Sequence, residues 1–317
     1  MKAAIVVPTI RRESIARFLA EWKDEFKDHL VIVVEDNAEP SFDLAGHEIR
    51  HYSWRDIDAE FGRDSWIIPR RTDCVRSYGF YKAYQEKVDM VISMDDDCYP
   101  KTPQFVKAHS ERLLSEGEWP AWISTLKGLS PRGMPYQKLS KSAECVLNHG
   151  LWDNVPDFDA VTQLAALRNP QPYEKISMTI PPGLYFPMCG MNVAFRMKAV
   201  PMMYFLLMGQ PNWPYDRYGD IWCGIFAKKI CDHLNVCVKS GEPSIWHDRA
   251  SNVWTNLRKE LPGYEVNEDL WREVDSLVLT KNTFAGCYEE LAAQLPRDDD
   301  YWKKLKKAMA IWSHLFE

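Results

Sequence analysis

The chain has 317 residues, 46% of them hydrophobic and 26% charged, with a formal net charge of −6. A globular protein of this size buries a substantial core, so a disordered chain, a collagen-like fibre and a disulfide-knotted miniprotein are excluded. Lys+Arg 39 against Asp+Glu 45 leaves no basic surplus for a phosphate backbone, and nucleic acid is not the expected partner.

The elements alternate along the chain. Residues 3–7 are a continuous apolar run rich in branched side chains, the pattern of a buried parallel strand. Residues 13–26 show helical periodicity through Ile15, Phe18, Leu19, Trp22 and Phe26. A second apolar run, 30–34, ends in Glu35 and Asp36. Residues 74–86 read as a helix, 88–94 as a third buried strand closed by Asp95, Asp96 and Asp97, and 102–115 as another helix. This alternation predicts an α/β fold with a mostly parallel sheet covered by helices on both faces. The stretch 118–190, rich in Pro, Gly and Trp, reads as irregular connections. From about residue 250 the pattern is helical and charge-rich. We therefore expect a catalytic domain over 1–250 and a packed helical extension over 251–317. The final Lys-rich segment is expected to bury its apolar face and leave its lysines in solvent.

Eight cysteines, none in a C-x-x-C pair, lie in apolar contexts and are expected to be reduced and buried, as in a cytoplasmic protein. No run of about 18 apolar residues marks a membrane span, and the short apolar run at the amino terminus is broken by Pro8.

In open α/β sheets, ligands bind beyond the carboxyl ends of the strands. Pro8 and Thr9, Glu35 and Asp36, and Asp95–Asp97 all fall at such ends, so one sheet edge is the expected site. Three adjacent carboxylates repel one another, and a hard divalent cation, Mg²⁺ or Mn²⁺, relieves that repulsion while bridging a diphosphate. His247, after a short strand-like stretch, is a candidate further ligand. Arg70, Arg71 and Arg76 crowd one turn and are candidates to neutralise phosphate. Asp216, Arg217 and Asp220 sit among aromatics, which fits a sugar site and equally a helix start capped by Asp220. No G-x-G-x-x-G, Walker A or G-x-S-x-G sequence appears, so dinucleotide, P-loop and hydrolase-elbow readings lose support.

Seven segments in one order, DDDC at 95–98, RGMPY at 132–136, HGLWDNVPDFDAVTQL at 149–164, FPMCGMN at 186–192, RYGDIW at 217–222, ICDHL at 230–234 and SIWHDRAS at 244–251, resemble the reversibly glycosylated polypeptide family. That family includes the plant UDP-arabinopyranose mutases. The resemblance covers residues 1–260 and leaves the helical tail unmatched. It implies a GT-A-like nucleotide-diphospho-sugar fold, a UDP-sugar substrate, Mn²⁺ or Mg²⁺ on the acidic motif, and assembly into homo-oligomers. Asp95, Asp97 and His247 would be the metal ligands. Pro8, Thr9, Arg11, Glu35, Asp36, Arg76, Asp95 and Asp96 would hold the nucleotide diphosphate. His149, Trp152, Gly190, Asn192, Asp216 and Trp222 would contact the sugar. Asp97, Asp220 and Arg132 would carry the chemistry, with Arg132 matching the arginine that looks like the family's glycosylation site. The chain departs from the plant pattern in one place: Leu139-Ser140 stands where a second arginine follows a leucine, with Lys138 and Lys141 nearby. Mutase action, interconverting UDP-L-arabinopyranose and UDP-L-arabinofuranose, is the leading expectation. The alternatives are transfer of the sugar to a separate acceptor and a non-enzymatic nucleotide-sugar sensor.

Overall fold

The apolar runs at the start of the chain fold as buried parallel strands in the computed structural model, which describes residues 1–44, 49–170, 172–248 and 251–317. Its ten strands are β1 (Ala3–Thr9), β2 (Leu30–Glu35), β3 (Ile49–Tyr52), β4 (Met90–Met94), β5 (Cys98–Tyr99), β6 (Glu116–Pro120), β7 (Ser140–Asn154), β8 (Met178–Ile180), β9 (Asn192–Arg196) and β10 (Cys237–His247). The sheet order is β3-β2-β1-β4-β9-β7-β10-β5, with β6 paired to β7 and β8 to β10. β1 to β4 are mutually parallel, and β9 runs antiparallel between β4 and β7. β7 and β10, parallel to each other, therefore point the same way as β1 and β4. Their carboxyl ends share one edge.

Alternate side chains of each central strand enter different cores, as a period of two requires. Val6, Ile32 and Val34 pack under the helix Val75–Gln85. Ile5, Val31 and Val33 pack under the helices Arg12–Glu21 and Phe105–Leu114. A mostly parallel sheet flanked by helices on both faces matches the expected class and is compatible with a GT-A-like fold. The helix expected over 13–26 is divided into Arg12–Glu21 and Lys23–Phe26.

The middle of the chain is more regular than its composition suggests. Residues 118–190 contain the fifteen-residue β7, the helix Ala160–Arg168 and β8. Only residues 145–150 of β7 are fully buried, and its first five residues pair with β6 in an exposed hairpin. Its polar first third therefore hides the strand pattern.

The carboxy-terminal helices Val253–Asp275, Phe284–Gln294 and Asp300–His314 place Leu270, Leu291, Trp302 and Trp312 in the same core as Tyr204 and Trp222. The last helix buries Trp302, Leu305, Met309 and Trp312 and leaves Lys303, Lys304 and Lys307 exposed, as its amphipathic pattern predicts. All eight cysteines are buried and unpaired. No helix among the described residues is long and apolar enough to cross a membrane.

Candidate functional site

β4 delivers Asp95, Asp96 and Asp97 to the carboxyl edge, and the next two residues form β5, antiparallel to β10. This pairing sets Cys98 opposite His247, and Asp248 N–H donates to the Asp97 carbonyl at 2.9 Å. A histidine 150 positions downstream of Asp97 is thereby fixed beside the triplet.

The three carboxylates then diverge. Asp96 is buried and accepts from Thr9 Oγ1 at 2.6 Å and from the Arg11 guanidinium. Asp95 turns to Arg76 Nη2 at 2.5 Å. Asp97 accepts from Arg11 Nη2 at 3.2 Å through Oδ2, while its Oδ1 is buried without a hydrogen-bond partner and lies 3.8 Å from His247 Nε2. His247 Nδ1 sits 2.8 Å from the Val155 carbonyl, which can only accept, so Nδ1 carries the proton. In the neutral tautomer that keeps its proton on Nδ1, His247 aims the lone pair of Nε2 at a carboxylate oxygen without a hydrogen-bond partner. Two facing acceptors of this kind fit a divalent cation, with Val155 orienting the imidazole as an outer-shell partner does.

Asp95 is not turned into that pair, because Arg76 holds it. Among the described residues, the one trio of metal-ligand types with all donor atoms within 4.8 Å of one another is Glu289, His314 and Glu317, on the last two helices and the tail.

The electrostatics follow from burial and pairing. Burial opposes ionisation of Asp95, but Arg76 outweighs it and holds the carboxyl below its ordinary value. Asp96 and Asp97 are raised, chiefly by burial; repulsion from Asp95 adds to the shift at Asp97. Burial pulls Arg11 down, yet its hydrogen bonds and charge contacts to Asp96 and Asp97 hold the guanidinium above its usual range.

Arg76 is almost wholly buried. It donates to the Asp73 carbonyl, Ser93 Oγ, the Gly190 carbonyl and Asp95, so most of its five N–H groups serve the protein. It positions Asp95 and the Gly190 loop rather than presenting itself to a phosphate. Gly190 is confined as well, since a Cβ there would lie 2.4 Å from the Phe205 ring. Its N–H donates to Asp220 Oδ2 at 2.8 Å. Asp220 begins the helix Gly219–His233, and burial with repulsion from Asp73 pushes its carboxyl up to about 7. Burial likewise raises Asp73 to about 6. Two carboxyls near neutrality at the edge of the acidic cluster are suited to carrying protons.

Other expected contacts lie elsewhere. Trp222 is fully buried and stacked on Trp302 at 5.5 Å, so it packs the core and cannot meet a sugar. Asn192 is fully buried, bonded to His109 and to the carbonyls of Leu151 and Pro243. His149 is buried against Ser240, and burial lowers its imidazole to about 4. Glu35 is enclosed by Ser41 and His51, and Asp36 accepts from Trp54 Nε1 and Arg71 N–H. These two fix the loops beside β2. Pro8 and Trp152 are half-buried near the edge, and Asp216 pairs with Lys259 at 2.9 Å. Arg70 pairs with Asp58, and the Arg71 guanidinium lies 5.8 Å from the Trp54 ring, so the three crowded arginines take separate tasks.

Arg132 is exposed on residues 121–139, a segment anchored between Pro120 and Ser140 at the amino-terminal end of β7, and among the described residues it makes no hydrogen bond or ion pair with the acidic cluster. Arg249 and Ala250 of the last family motif lie outside the described residues. Two residues of the site escaped the sequence reading. Asp73 had no neighbouring acid to mark it. Glu260, buried in the carboxy-terminal extension, ties Arg217 Nε at 2.9 Å to the Ala160 N–H at 2.7 Å. Cavities of about 480 and 420 Å³ lie around Trp66 and Lys304, away from these groups. Chemistry rather than enclosed volume locates the site.

The family model described as reversibly glycosylated polypeptide matches residues 2–317, which includes the helical tail that the motif resemblance left out. A probable UDP-arabinopyranose mutase 4 of Arabidopsis thaliana is 36% identical over 337 residues, covering 99% of this chain and 90% of the relative. UDP-arabinopyranose mutase 1 of Oryza sativa subsp. japonica is 36% identical over 331 residues, covering 97% and 88%. UDP-arabinopyranose mutase 1 of Arabidopsis thaliana is 36% identical over 332 residues, covering 97% and 90%.

Proposed function

We propose that this chain, which belongs to the reversibly glycosylated polypeptide family, is a mutase interconverting UDP-L-arabinopyranose and UDP-L-arabinofuranose at the edge formed by Asp95–Asp97 and His247. The observation that carries the reading is the facing pair of bare acceptors, Asp97 Oδ1 and His247 Nε2, at the carboxyl end of β4. Asp97 and His247 would hold Mn²⁺ or Mg²⁺, which when bound supplies positive charge to the departing diphosphate.

The chain's own groups do the rest. Arg11, with 38% of its side chain exposed, remains at the rim to meet a phosphate oxygen. Arg76 and Thr9 fix Asp95 and Asp96, so the cluster is set before substrate arrives. Interconversion requires the sugar C1–O bond to the diphosphate to break and re-form around an exchange of ring oxygens. The hydroxyl that closes the new ring loses a proton, and the oxygen released from the old ring gains one. Asp220, whose carboxyl is raised to about 7, would take the first and return the second. Arg132 would hold the freed sugar transiently, the step that self-glycosylation would trap.

The test is product analysis of purified protein given UDP-L-arabinofuranose and Mn²⁺ without acceptor, with and without EDTA. Appearance of UDP-L-arabinopyranose that EDTA abolishes supports the mutase reading. Unchanged sugar nucleotide, or its consumption only when an acceptor is added, overturns it in favour of transfer.

A further inference from the structure

Arg132 and the acidic edge are anchored at opposite ends of the sheet. Through β9, Leu147 of β7 is level with Val91 of β4. At about 3.3 Å per residue, Ser140 starts roughly 23 Å below that level and Asp95 lies roughly 13 Å above it. β10 begins beside Cys145, and below that point β6 takes over as the partner of β7 and leads into residues 121–139. A route to the same molecule's edge would take Arg132 across the height of the sheet.

The arm is built like a docking element. Trp122, Ile123, Leu126, Leu129 and Tyr136 are 50–95% exposed, a concentration of apolar surface that marks an interaction site. The arm also carries Lys127, Arg132 and Lys138 and no acid, in a chain whose net charge is −6. The carboxyl edge has the opposite sign: Asp73, Asp95, Asp96, Asp97 and Asp220 gather there around Arg11 and Arg76. Opposite charges on the two ends of one molecule steer two copies head to tail.

We propose that the arm of one copy docks on the acidic edge of a second copy and supplies Arg132 to that copy's sugar site. This rests on the proposed role of Arg132. The contact is heterologous, because the two surfaces belong to different ends of the chain, and such contacts close as rings or continue as filaments.

Two experiments test it on the full chain. In sedimentation velocity the wild type runs as an oligomer, and the triple variant W122D/I123D/L129D runs at the 36.9 kDa of one chain with unchanged thermal melting, since those side chains are exposed. A monomeric wild type, or a variant that stays assembled, overturns the proposal. In the second experiment Arg132→Ala and Asp97→Asn are co-expressed in equal amounts. Each is inactive alone, and together they recover about a quarter of wild-type turnover, because an intact arm meets an intact site at one heterologous contact in four. Absence of recovery while Arg132→Ala alone is inactive overturns delivery from a second copy and leaves the role of Arg132 standing. Full activity of Arg132→Ala discards that role and the proposal together, with the acidic edge still judged by Asp97→Asn. Full activity of Asp97→Asn removes the edge as the site and the proposal with it.

Discussion

Asp220→Asn is expected to destroy turnover while making the fold more resistant to alkaline pH. The Asp220 carboxyl rises from 3.8 to about 7, through burial and the repulsion of Asp73. A carboxyl raised by folding contributes stability that is complete below 3.8 and disappears as pH climbs through 7. Between about pH 5 and pH 8.5 the wild type crosses about two pH units of that window, at about 1.4 kcal/mol each, or about 3 kcal/mol. Asparagine does not titrate. It keeps one of the two N–H donors, from Gly190 and Ile221, that meet the carboxylate. The mismatch at the other costs about 1–3 kcal/mol at either pH and cancels in the comparison. An unfolding entropy of about 2 cal/mol/K per residue makes about 3 kcal/mol a shift of about 4 °C in Tm for a chain of this length. Thermal melts of both proteins at the two pH values supply the difference of differences. The wild type should lose about 4 °C more than Asp220→Asn on going to the higher pH. Equal losses would refute the claim that burial and Asp73 hold this carboxyl near neutrality.

Three other substitutions probe the surroundings. Gly190→Ala forces a Cβ against Phe205, so it should cost about 1–3 kcal/mol in urea denaturation and reduce turnover by moving the groups that hold Arg76 and Asp220. Arg76→Lys keeps the charge but loses the fork to Ser93 and Gly190, and should cost about 2 kcal/mol, read by the urea midpoint at constant slope. Trp222→Ala should cost about 3–5 kcal/mol as a core deletion, while KM of the protein that remains folded changes less than twofold; a tenfold rise in KM would restore Trp222 to the sugar site.

The amino-terminal half of the fold was legible because its strands are buried on both faces and read as unbroken apolar runs: residues 3–7, 30–34 and 90–94 are examples. β7 was not legible. Its first residues pair with β6 in the open, and its core residues answer to β10, nearly a hundred positions later. β10 itself contains Gly241 and Pro243 and shifts register between Gly241 and Ser244. Within the site, the acidic triplet and His247 announce themselves by residue type and position at strand ends. What no pattern in one sequence distinguishes is direction. Trp222 lies in the same motif as Asp220, yet one ring enters the core and the other side chain faces Gly190. Arg76, close in sequence to Arg70 and Arg71, is buried by the start of a helix that the neighbouring two never join.

The account stands most directly on where the cation binds. Crystals of the chain soaked with Mn²⁺ and UDP, measured for anomalous scattering from manganese, locate it without reference to turnover. The account predicts an anomalous peak between Asp97 Oδ1 and His247 Nε2, lost in His247→Ala. A peak confined to Glu289, His314 and Glu317, with none at the end of β4, would contradict it.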